Sequence, residues 1–379
     1  MIPRAAPLVA VTAALLLAGC GSGSTPTGPA STGGGSTGAG PAAGPGGTSG
    51  ATEPGAGPAA GPGGTSSAAA AALPPGAVPP APIARFSCGT ATVRVSTAEE
   101  LTRALSRPTA GQVIWLADGT YPGKFVTTAS GTAEAPIQLC GGRGAVIDGE
   151  SVKGGYALHF NGASHWRVNG FSVRNGQKGV MVDAGSDIGL QDLLVEHIGD
   201  EAVHLRSFST GNVVRGLTIR ETGLRREKFG EGVYVGSAQS NWKSVTAGRP
   251  DASNGNFVLD NTISATTSEA VDIKEGTIGG VVAGNRFDGS ALTGADSWVD
   301  VKGNGWLIAG NTGHTTTKDG FQTHVVVKGW GDRNLFTGNT ADLGGGSGVG
   351  FYLHERLGNR ISCDNRVSGG TLTNADCSG

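Results

Sequence analysis

The chain has 379 residues, 68 of them glycine, and a formal net charge of -2 at pH 7. A balance so close to neutral argues against nucleic acid or an anionic membrane surface as the partner. Any strongly basic or acidic chemistry must therefore be local to a few residues.

The first twenty residues predict a secretory signal. They hold one arginine and then an apolar run that is too short to span a bilayer. The Leu-Ala-Gly-Cys ending is typical of a bacterial lipobox, so we expect cleavage before Cys20 and lipidation of its thiol. An ordinary signal peptide with an incidental cysteine is the alternative. The lipobox predicts an exported protein, anchored at the outer face of the bacterial membrane by lipid alone.

Residues 21–84 consist almost wholly of Gly, Ala, Ser, Thr and Pro. Such a composition lacks the apolar side chains that would offset chain entropy, so we expect a disordered linker. The folded domain is then predicted to span residues 85–379.

Four cysteines follow the linker: Cys88, Cys140, Cys363 and Cys377. Export favours disulfides over free thiols or a zinc site, and the domain has no Cys-x-x-Cys pair. Because two cysteines lie near each end, we expect Cys88 to pair with Cys140 and Cys363 with Cys377. Four cysteines allow three pairings, so this is a preference among them.

A short helix is predicted at the start of the domain, over residues 97–105. Ser96 with Glu99, or Thr97 with Glu100, has the spacing of a capping box, and an apolar stripe follows.

Beyond residue 145 the sequence repeats one outline, in which two apolar strand residues flank an outward-facing one. These segments begin at residues 157, 179, 202, 232, 270, 298, 320 and 350, which sets them 22 to 38 residues apart. A second recurring element ends in asparagine, at Asn261, Asn285, Asn311 and Asn339. Repeats of this length, built from short strands and Gly/Asn turns, indicate a solenoid. Crossovers between parallel strands favour the right hand.

This pattern resembles the right-handed parallel β-helix of pectate-lyase-like proteins, over roughly residues 90–360. The opening ADGTYPGKF, followed by AVIDG, is similar to the usual start of such domains. The resemblance implies an all-β fold, a single-stranded right-handed parallel β-helix with a short N-terminal capping helix. A β-propeller is the main alternative, but its antiparallel blades need longer repeats.

Equivalent outward positions of a solenoid align in columns about 4.8 Å apart. The first column contains His159, Met181, His204, Tyr234, Asp272, Asp300, Gln322 and Tyr352. The second column contains Asn161, Asp183, Arg206, Gly236, Lys274, Lys302, His324 and His354. The turns before three of these strands supply Glu201, Glu231 and Glu269.

The three turn glutamates predict a calcium site. Carboxylates on neighbouring coils repel one another unless a cation lies between them. A set of oxygen ligands suits Ca²⁺ better than zinc. An acidic sugar held by the ion would then meet the side chains of both columns, and the candidate contacts are Tyr234, His204, Asp272, Asp300 and His324. The alternative is structural, with the turn acids accepting hydrogen bonds from the next coil and the lysines solvated.

Two irregular connections, residues 225–229 and 237–255, adjoin these coils. Long loops on a rigid scaffold often carry binding residues. Trp242 is a candidate for stacking on a sugar ring, and Arg226 for meeting a sugar carboxylate. Solvated loop residues are the alternative.

The segment 269–287 also resembles the signature of chondroitinase-B-like and alginate lyases. In that family a glutamate five residues before a lysine binds calcium, and the lysine abstracts a proton. Glu269 and Lys274 have this spacing here, and the Asn-Arg-Phe ending of the segment also fits. The family's second basic residue has no arginine counterpart on the next coil, where Lys302 lies nearest. Lys274, Lys302 and Arg206 are therefore the catalytic candidates.

The reaction that this resemblance implies is β-elimination on an acidic, uronic-acid-containing polysaccharide. We expect the protein to be a monomer. A lysine with its ordinary pKa near 10.4 is a poor base. We expect Lys302, Arg206 and calcium to lower the pKa of Lys274, although Asp272 and Glu275 act in the opposite direction.

Two rival functions stay open. An inverting glycoside hydrolase on the same fold would use paired carboxylates among Glu231, Glu269 and Asp272. A non-catalytic surface β-helix would bind glycan without cleaving it.

Overall fold

The computed structural model describes residues 81–345 and 348–379. The predicted signal peptide, the lipidated Cys20 and the predicted linker as far as residue 80 lie outside these residues. Within the described ranges, no helix is both long enough and apolar enough to cross a bilayer.

Short runs with alternating apolar and polar residues form strands, and the chain winds these strands into three parallel sheets. Sheet 1 contains β1 (Val93–Val95), β2 (Val113–Leu116), β5 (Ile137–Gly141), β8 (Trp166–Asn169), β11 (Ile188–Gln191), β14 (Val213–Arg215), β17 (Phe257–Leu259), β20 (Val281–Ala283), β23 (Leu307–Ala309), β26 (Leu335–Thr337) and β29 (Arg360–Ile361). Sheet 2 contains β3 (Gly119–Pro122), β6 (Ala145–Asp148), β9 (Ser172–Arg174), β12 (Leu194–Glu196), β15 (Thr218–Arg220), β18 (Thr262–Ser264), β21 (Arg286–Asp288), β24 (Thr312–His314), β27 (Thr340–Asp342) and β30 (Arg366–Ser368). Sheet 3 contains β4 (Phe125–Thr127), β7 (Tyr156–Asn161), β10 (Lys178–Asp183), β13 (Val203–Arg206), β16 (Val233–Val235), β19 (Val271–Ile273), β22 (Val299–Val301), β25 (Phe321–Thr323), β28 (Val349–Leu353) and β31 (Thr371–Thr373).

Each coil of the chain contributes one strand to each sheet in turn, and each strand pairs in parallel with its equivalent on the next coil. The described residues therefore form a parallel β-solenoid of about ten coils. The predicted all-β fold is confirmed, and the β-propeller alternative is wrong because its blades are antiparallel. The right hand of the coil stays a prediction from the preference of parallel crossovers.

The core lies inside the three sheets, where one side chain of every alternating pair points inward. Trp166 and Phe321 are completely buried, and the ring of Phe321 stacks on that of Phe351 with 5.0 Å between centroids. Burial of each such side chain contributes about 1.5–3 kcal/mol, so the stacked coils stabilise one another.

The helix α1 (Ala98–Ser106) begins at a capping box formed by Thr97 and Glu100. The amide of Glu100 donates to Thr97 Oγ1 at 3.2 Å, and Glu100 Oε2 accepts from the Ser96 amide at 2.8 Å. Leu101 and Leu105 are fully buried, and the helix contacts β1, β3 and β4, the first strand of each sheet. The predicted capping helix is confirmed.

The remaining helical segments are short and belong to the two connections beside the middle coils. They are the 3₁₀ turns Glu227–Phe229 and Gln239–Asn241 and the one-turn helix α2 (Trp242–Val245).

Two disulfides join the cysteines in the expected pairs. Cys88 bonds to Cys140 beside the first coils, and Cys363 bonds to Cys377 beside the last. The predicted pairing is confirmed.

Residues 81–84, which their composition assigns to the linker, contact sheet 1. Ile83 packs against Val213 and Phe257, and its carbonyl oxygen accepts a hydrogen bond of 2.7 Å from Arg215 Nη1.

Candidate functional site

The outer face of sheet 3 carries the first predicted column. Because side chains alternate along a strand, Val271 and Ile273 point into the core and Asp272 points outward. The pairing register aligns Asp272 with Tyr234 on one side and with Asp300 on the other. The same register joins the rest of the column, which contains His159, Met181, His204, Gln322 and Tyr352. The alignment predicted from the repeats is confirmed.

The second column is also continuous. Strand pairing aligns Asp183 with Arg206. Beyond that coil, backbone hydrogen bonds place Lys274 and Lys302 on successive coils, with their amides donating to Val235 and Ile273 at 2.9 and 2.8 Å. The column of basic side chains therefore runs beside the column of aspartates.

The acids converge at the middle coils. One carboxylate oxygen from each of Glu231, Glu269 and Asp272 lies within 4.8 Å of the other two. Glu231 and Asp272 are buried, and Glu269 is partly buried. We call these three residues the acid cluster. Asp272, predicted as a substrate contact, is a member of it.

Glu201, the third predicted metal ligand, is held elsewhere. Its carboxylate forms an ion pair with Lys178 and lies 3.5 Å from His204 Nδ1. Its role as a ligand stays a prediction. Lys178 was not among the residues predicted from the sequence. It occupies the position equivalent to Glu201, because each lies two residues before a valine and Val180 pairs with Val203. Extending the turn column by one coil would have found it.

The basic side chains alternate with aspartates along the face. Lys274 Nζ lies 2.5 Å from Asp272 Oδ2, and Lys302 Nζ lies 2.7 Å from Asp272 Oδ1 and 2.6 Å from Asp300 Oδ2. His324 Nδ1 continues the row, at 2.8 Å from Asp300 Oδ1. Arg206 lies outside this row, because its Nε donates to Asp183 at 2.6 Å.

Burial and mutual repulsion make the two glutamates of the cluster reluctant to ionise. Burial raises the pKa of Glu231 well above its ordinary value, and the charges of Glu201 and Asp272 raise it further. Burial and the charge of Asp272 likewise raise the pKa of Glu269. Glu231 Oε2 is buried without a hydrogen-bond partner, so the cluster has an unused ligand atom.

The lysine beside the cluster is held in its protonated form. Burial alone would lower the pKa of Lys274, but the carboxylates of Asp272, Glu231 and Glu269 outweigh burial and raise it. The expected lowering by Lys302 and Arg206 is therefore wrong for the protein without a bound cation. The carboxylate of Asp272 dominates because it contacts the Lys274 amine directly.

A cleft of about 240 Å³ opens beside Tyr234. Five predicted residues line it: Glu201, His204, Arg206, Arg226 and Tyr234. Tyr234 connects the cleft to the acid cluster, since Lys274 Nζ lies 4.9 Å from the centre of its ring. Burial raises the pKa of Tyr234 well above 10, so its phenol keeps its proton.

Trp242 does not present a stacking surface. The indole is only 8% exposed, and its Nε1 donates to the Ser237 carbonyl oxygen at 2.9 Å. The prediction of a sugar platform at Trp242 is wrong, because the connection folds over its own tryptophan. Glu275 helps to hold this connection in place by accepting the Gln239 amide at 2.6 Å.

The chain resembles a solved polysaccharide lyase along its folded length. The crystal structure of an alginate lyase from Paenibacillus sp. str. FPU-7 has a TM-score of 0.72 and 34% sequence identity. That alignment covers 77% of this chain and 100% of the Paenibacillus chain.

Two more distant structures also match. Pectate lyase Pel9A has a TM-score of 0.47 at 16% identity, covering 73% of this chain and 75% of its own. ORF18 of Geobacillus virus E2 has a TM-score of 0.51 at 13% identity, and the alignment covers 75% of this chain and 60% of the ORF18 chain. At these identities the two say nothing about function. No protein-family model matches the sequence, and no curated protein matches it significantly.

Proposed function

We infer that this chain, which belongs to the same family of parallel β-helix polysaccharide lyases as the Paenibacillus alginate lyase, cleaves a uronic-acid-containing polysaccharide by β-elimination. The observation that carries the inference is the 34% identity over the whole of that lyase. The acid cluster and Lys274 on one outer face supply groups suited to this chemistry. Alginate is the first substrate to test.

Lys274 is the proposed base that removes the proton at C5 of the uronate. As long as Asp272, Glu231 and Glu269 are charged and unshielded, their field keeps the amine protonated. Neutralising that field lowers the pKa of Lys274 and frees its lone pair. Lys302 also contacts Asp272, at 2.7 Å from Oδ1.

The acid cluster is the proposed calcium site. Carboxylate oxygens within 4.8 Å of one another match a hard cation with Ca–O distances of about 2.4 Å, and the orphaned Glu231 Oε2 needs a partner. Asp272 fits less well, because both of its oxygens already contact lysine amines. Glu231 and Glu269 would therefore be the main ligands. A calcium ion there would offset the negative field and stabilise charge on the uronate carboxylate.

Tyr234 is the proposed proton donor to the leaving oxygen. Its phenol stays protonated, and it lies between the cleft and Lys274. When the C5 proton passes to Lys274, the C4–O bond breaks and the departing oxygen requires a proton. A neutral acid on the adjacent coil meets this requirement.

The leader and Cys20 support an exported, lipid-anchored protein that meets its polysaccharide outside the cell. We keep this location as a proposal, together with the monomeric state.

An inverting hydrolase is the less favoured alternative. Inverting enzymes separate their two carboxyl groups by about 6.5–9.5 Å to admit a water molecule. The oxygens of the acid cluster approach one another more closely than this, within 4.8 Å.

The test is incubation of the full chain with alginate, pectate and chondroitin sulfate, in calcium and in EDTA. We expect unsaturated sugar ends from at least one of these polyuronates, with less product in EDTA. Saturated ends would favour the hydrolase, and polysaccharide binding without any cleavage would favour a glycan-binding protein. Full activity in EDTA would remove calcium from the proposal while leaving the lyase.

A further inference from the structure

The rim of the cleft carries an aromatic ring in a position where the solenoid does not require one. Phe229 is 44% exposed and lines the cleft, and the guanidinium of Arg226 lies 5.8 Å from the centre of its ring. We propose that Arg226 and Phe229 form a subsite for one uronate residue of the substrate, with the sugar ring against Phe229 and its carboxylate on Arg226. The proposal rests on the lyase function inferred above.

The backbone of the turn that carries Arg226 and Phe229 is anchored by hydrogen bonds. The Phe229 amide donates to the Arg226 carbonyl oxygen at 3.0 Å, which closes the 3₁₀ turn. On one side of the turn, Arg225 donates to Asp200 through Nε and Nη2, at 2.9 and 2.5 Å. On the other side, Thr267 Oγ1 donates to the Glu227 carbonyl oxygen at 2.9 Å. An anchored backbone reduces the entropy that the turn loses when it binds a sugar.

Arg226 is the cation of the cleft that is free to meet a substrate carboxylate. Three other basic residues of the lining each have an acidic partner, Lys178 with Glu201, Arg206 with Asp183 and Arg225 with Asp200. Among the residues that the structure describes, Arg226 forms no ion pair and contacts Phe229 instead. An arginine that already lies at the rim provides the geometry that a carboxylate prefers.

The exposed phenyl ring of Phe229 can gain stabilisation from contact with a sugar ring. An exposed ring on a fixed turn forgoes the stabilisation that burial would bring. A pyranose ring presents apolar C–H groups on its face, and contact with them would remove this exposed surface from water. The guanidinium lies near the 6 Å limit of a cation–π contact, and Phe229 stays 44% exposed beside it.

The same segment offers a matched control. Leu224 is 46% exposed, similar to Phe229, but it does not line the cleft. Leu224→Ala therefore removes a similarly exposed apolar side chain immediately before the connection 225–229 without touching the proposed subsite.

The experiment measures the affinity of the full chain for oligouronates and for a neutral oligosaccharide of equal length, at low and high salt. A Lys274→Ala background keeps the ligand from being consumed. We expect Phe229→Ala to weaken oligouronate binding about tenfold, Phe229→Tyr to retain it and Leu224→Ala to leave it unchanged. Arg226→Gln should weaken binding about tenfold and flatten its salt dependence. The unfolding midpoint of each variant shows whether the fold is intact.

The outcomes separate the subsite from the proposed function. If Phe229→Ala and Arg226→Gln bind like the parent while the wild type releases unsaturated sugars, the subsite is wrong and the lyase stands. If both variants weaken binding but the wild type releases no unsaturated sugar, the subsite stands and the lyase does not. Equal losses in Leu224→Ala and Phe229→Ala would also overturn the subsite, because they would indicate a general disturbance of the connection. A wild type that binds no oligouronate overturns both.

Discussion

Two columns of polar side chains run along this solenoid, and they differ in how their hydrogen-bonding groups are satisfied. One column contains the asparagines at the turns between sheet 1 and sheet 2: Asn261, Asn285, Asn311, Asn339 and Asn365. The Nδ2 of each of the first four donates to the Oδ1 of the next asparagine at 2.9 Å, and that Oδ1 also accepts the backbone amide of the donating residue. Asn365 ends the column by donating to the carbonyl oxygens of Phe336 and Ser362. The column is buried and complete.

The other column contains the turn glutamates beside sheet 3. Here Glu231 and Glu269 meet Asp272 with like charges, the pKa of each glutamate is raised by burial and by its neighbours, and Glu231 Oε2 has no partner. An amide carries both a donor and an acceptor, so a stack of amides satisfies itself. A stack of carboxylates has acceptors alone and needs a partner from outside the repeat. The incomplete column therefore marks the proposed functional face, and the complete one marks the scaffold.

The largest expected effect lies on the proposed functional face. Lys274→Ala should reduce lyase activity by about a thousandfold, because it removes the proposed base. The release of unsaturated sugar ends measures the rate, and circular dichroism should show an unchanged fold. Lys318→Ala is the control, since Lys318 is an exposed lysine of the same face. Equal activity in Lys274→Ala and the wild type would show that another group is the base.

Breaking the asparagine column should lower the free energy of unfolding and leave the catalytic rate of the folded protein unchanged. Asn311→Ala removes the partner of the Asn285 amide and of Asn285 Nδ2, and it leaves the Val282 carbonyl without its donor. Each buried group that loses its partner costs about 1–3 kcal/mol, so we expect a loss of about 3 kcal/mol or more in denaturant unfolding. The folded fraction should keep its activity. A variant of wild-type stability would mean that water replaces the amide.

Removing one carboxyl group from the incomplete column should change the free energy of unfolding by less than Asn311→Ala does, and it should raise it. The pKa of Glu231 is raised above its ordinary 4.5 in the folded protein, so folding takes up a proton there. This contribution to stability is complete below pH 4.5 and is lost as the pH rises through the raised pKa. Glu231→Gln should therefore be more stable than the wild type at neutral pH in EDTA.

The unfolding free energy of Glu231→Gln should also fall less between pH 4.5 and neutrality than that of the wild type. Asp183 and Asp300 have lowered pKa values, and stability from those groups is lost only as the pH falls towards their folded values. Their contributions are common to both proteins and cancel in the difference. Parallel pH profiles for the two proteins would contradict the raised pKa of Glu231.

The smallest effect is expected at an exposed ion pair outside both columns. His314 Nδ1 lies 3.1 Å from Asp342 Oδ2, and both side chains are about half exposed. Solvent screens such a pair, so His314→Ala should leave both the unfolding midpoint and the lyase activity unchanged within error. This variant sets the baseline for the other three. A clear loss of stability would indicate a packing role for the imidazole.

Much of the scaffold was predictable from local pattern. Strand alternation around residue 272 predicted the outward columns, the recurring asparagines predicted the repeated turns, and the positions of the four cysteines predicted both disulfides. These features depend on periods of two residues along a strand and of one coil along the chain, and both periods are visible in the sequence.

The site was predictable only in outline. The sequence predicted acids and amines on one face. It also predicted that Glu201 joins the other two glutamates as a metal ligand and that Trp242 is exposed as a stacking surface, and the structure shows neither arrangement. Lys178 on the neighbouring coil binds Glu201, and the connection after β16 folds over Trp242. The sequence also gave no indication of Phe229, whose exposure depends on a 3₁₀ turn anchored from two sides.

The sequence by itself determined a stack of short parallel strands with acids and lysines in register on one face, because backbone periodicity is a local property. Tertiary structure decided which acids meet, which amine each one holds and which aromatic ring reaches solvent. Those outcomes depend on a few ångströms between side chains of different coils, and at such distances Coulomb energies and burial costs change steeply. The protonation of Lys274 is the clearest case, since contact with Asp272 outweighs both burial and the cations around it.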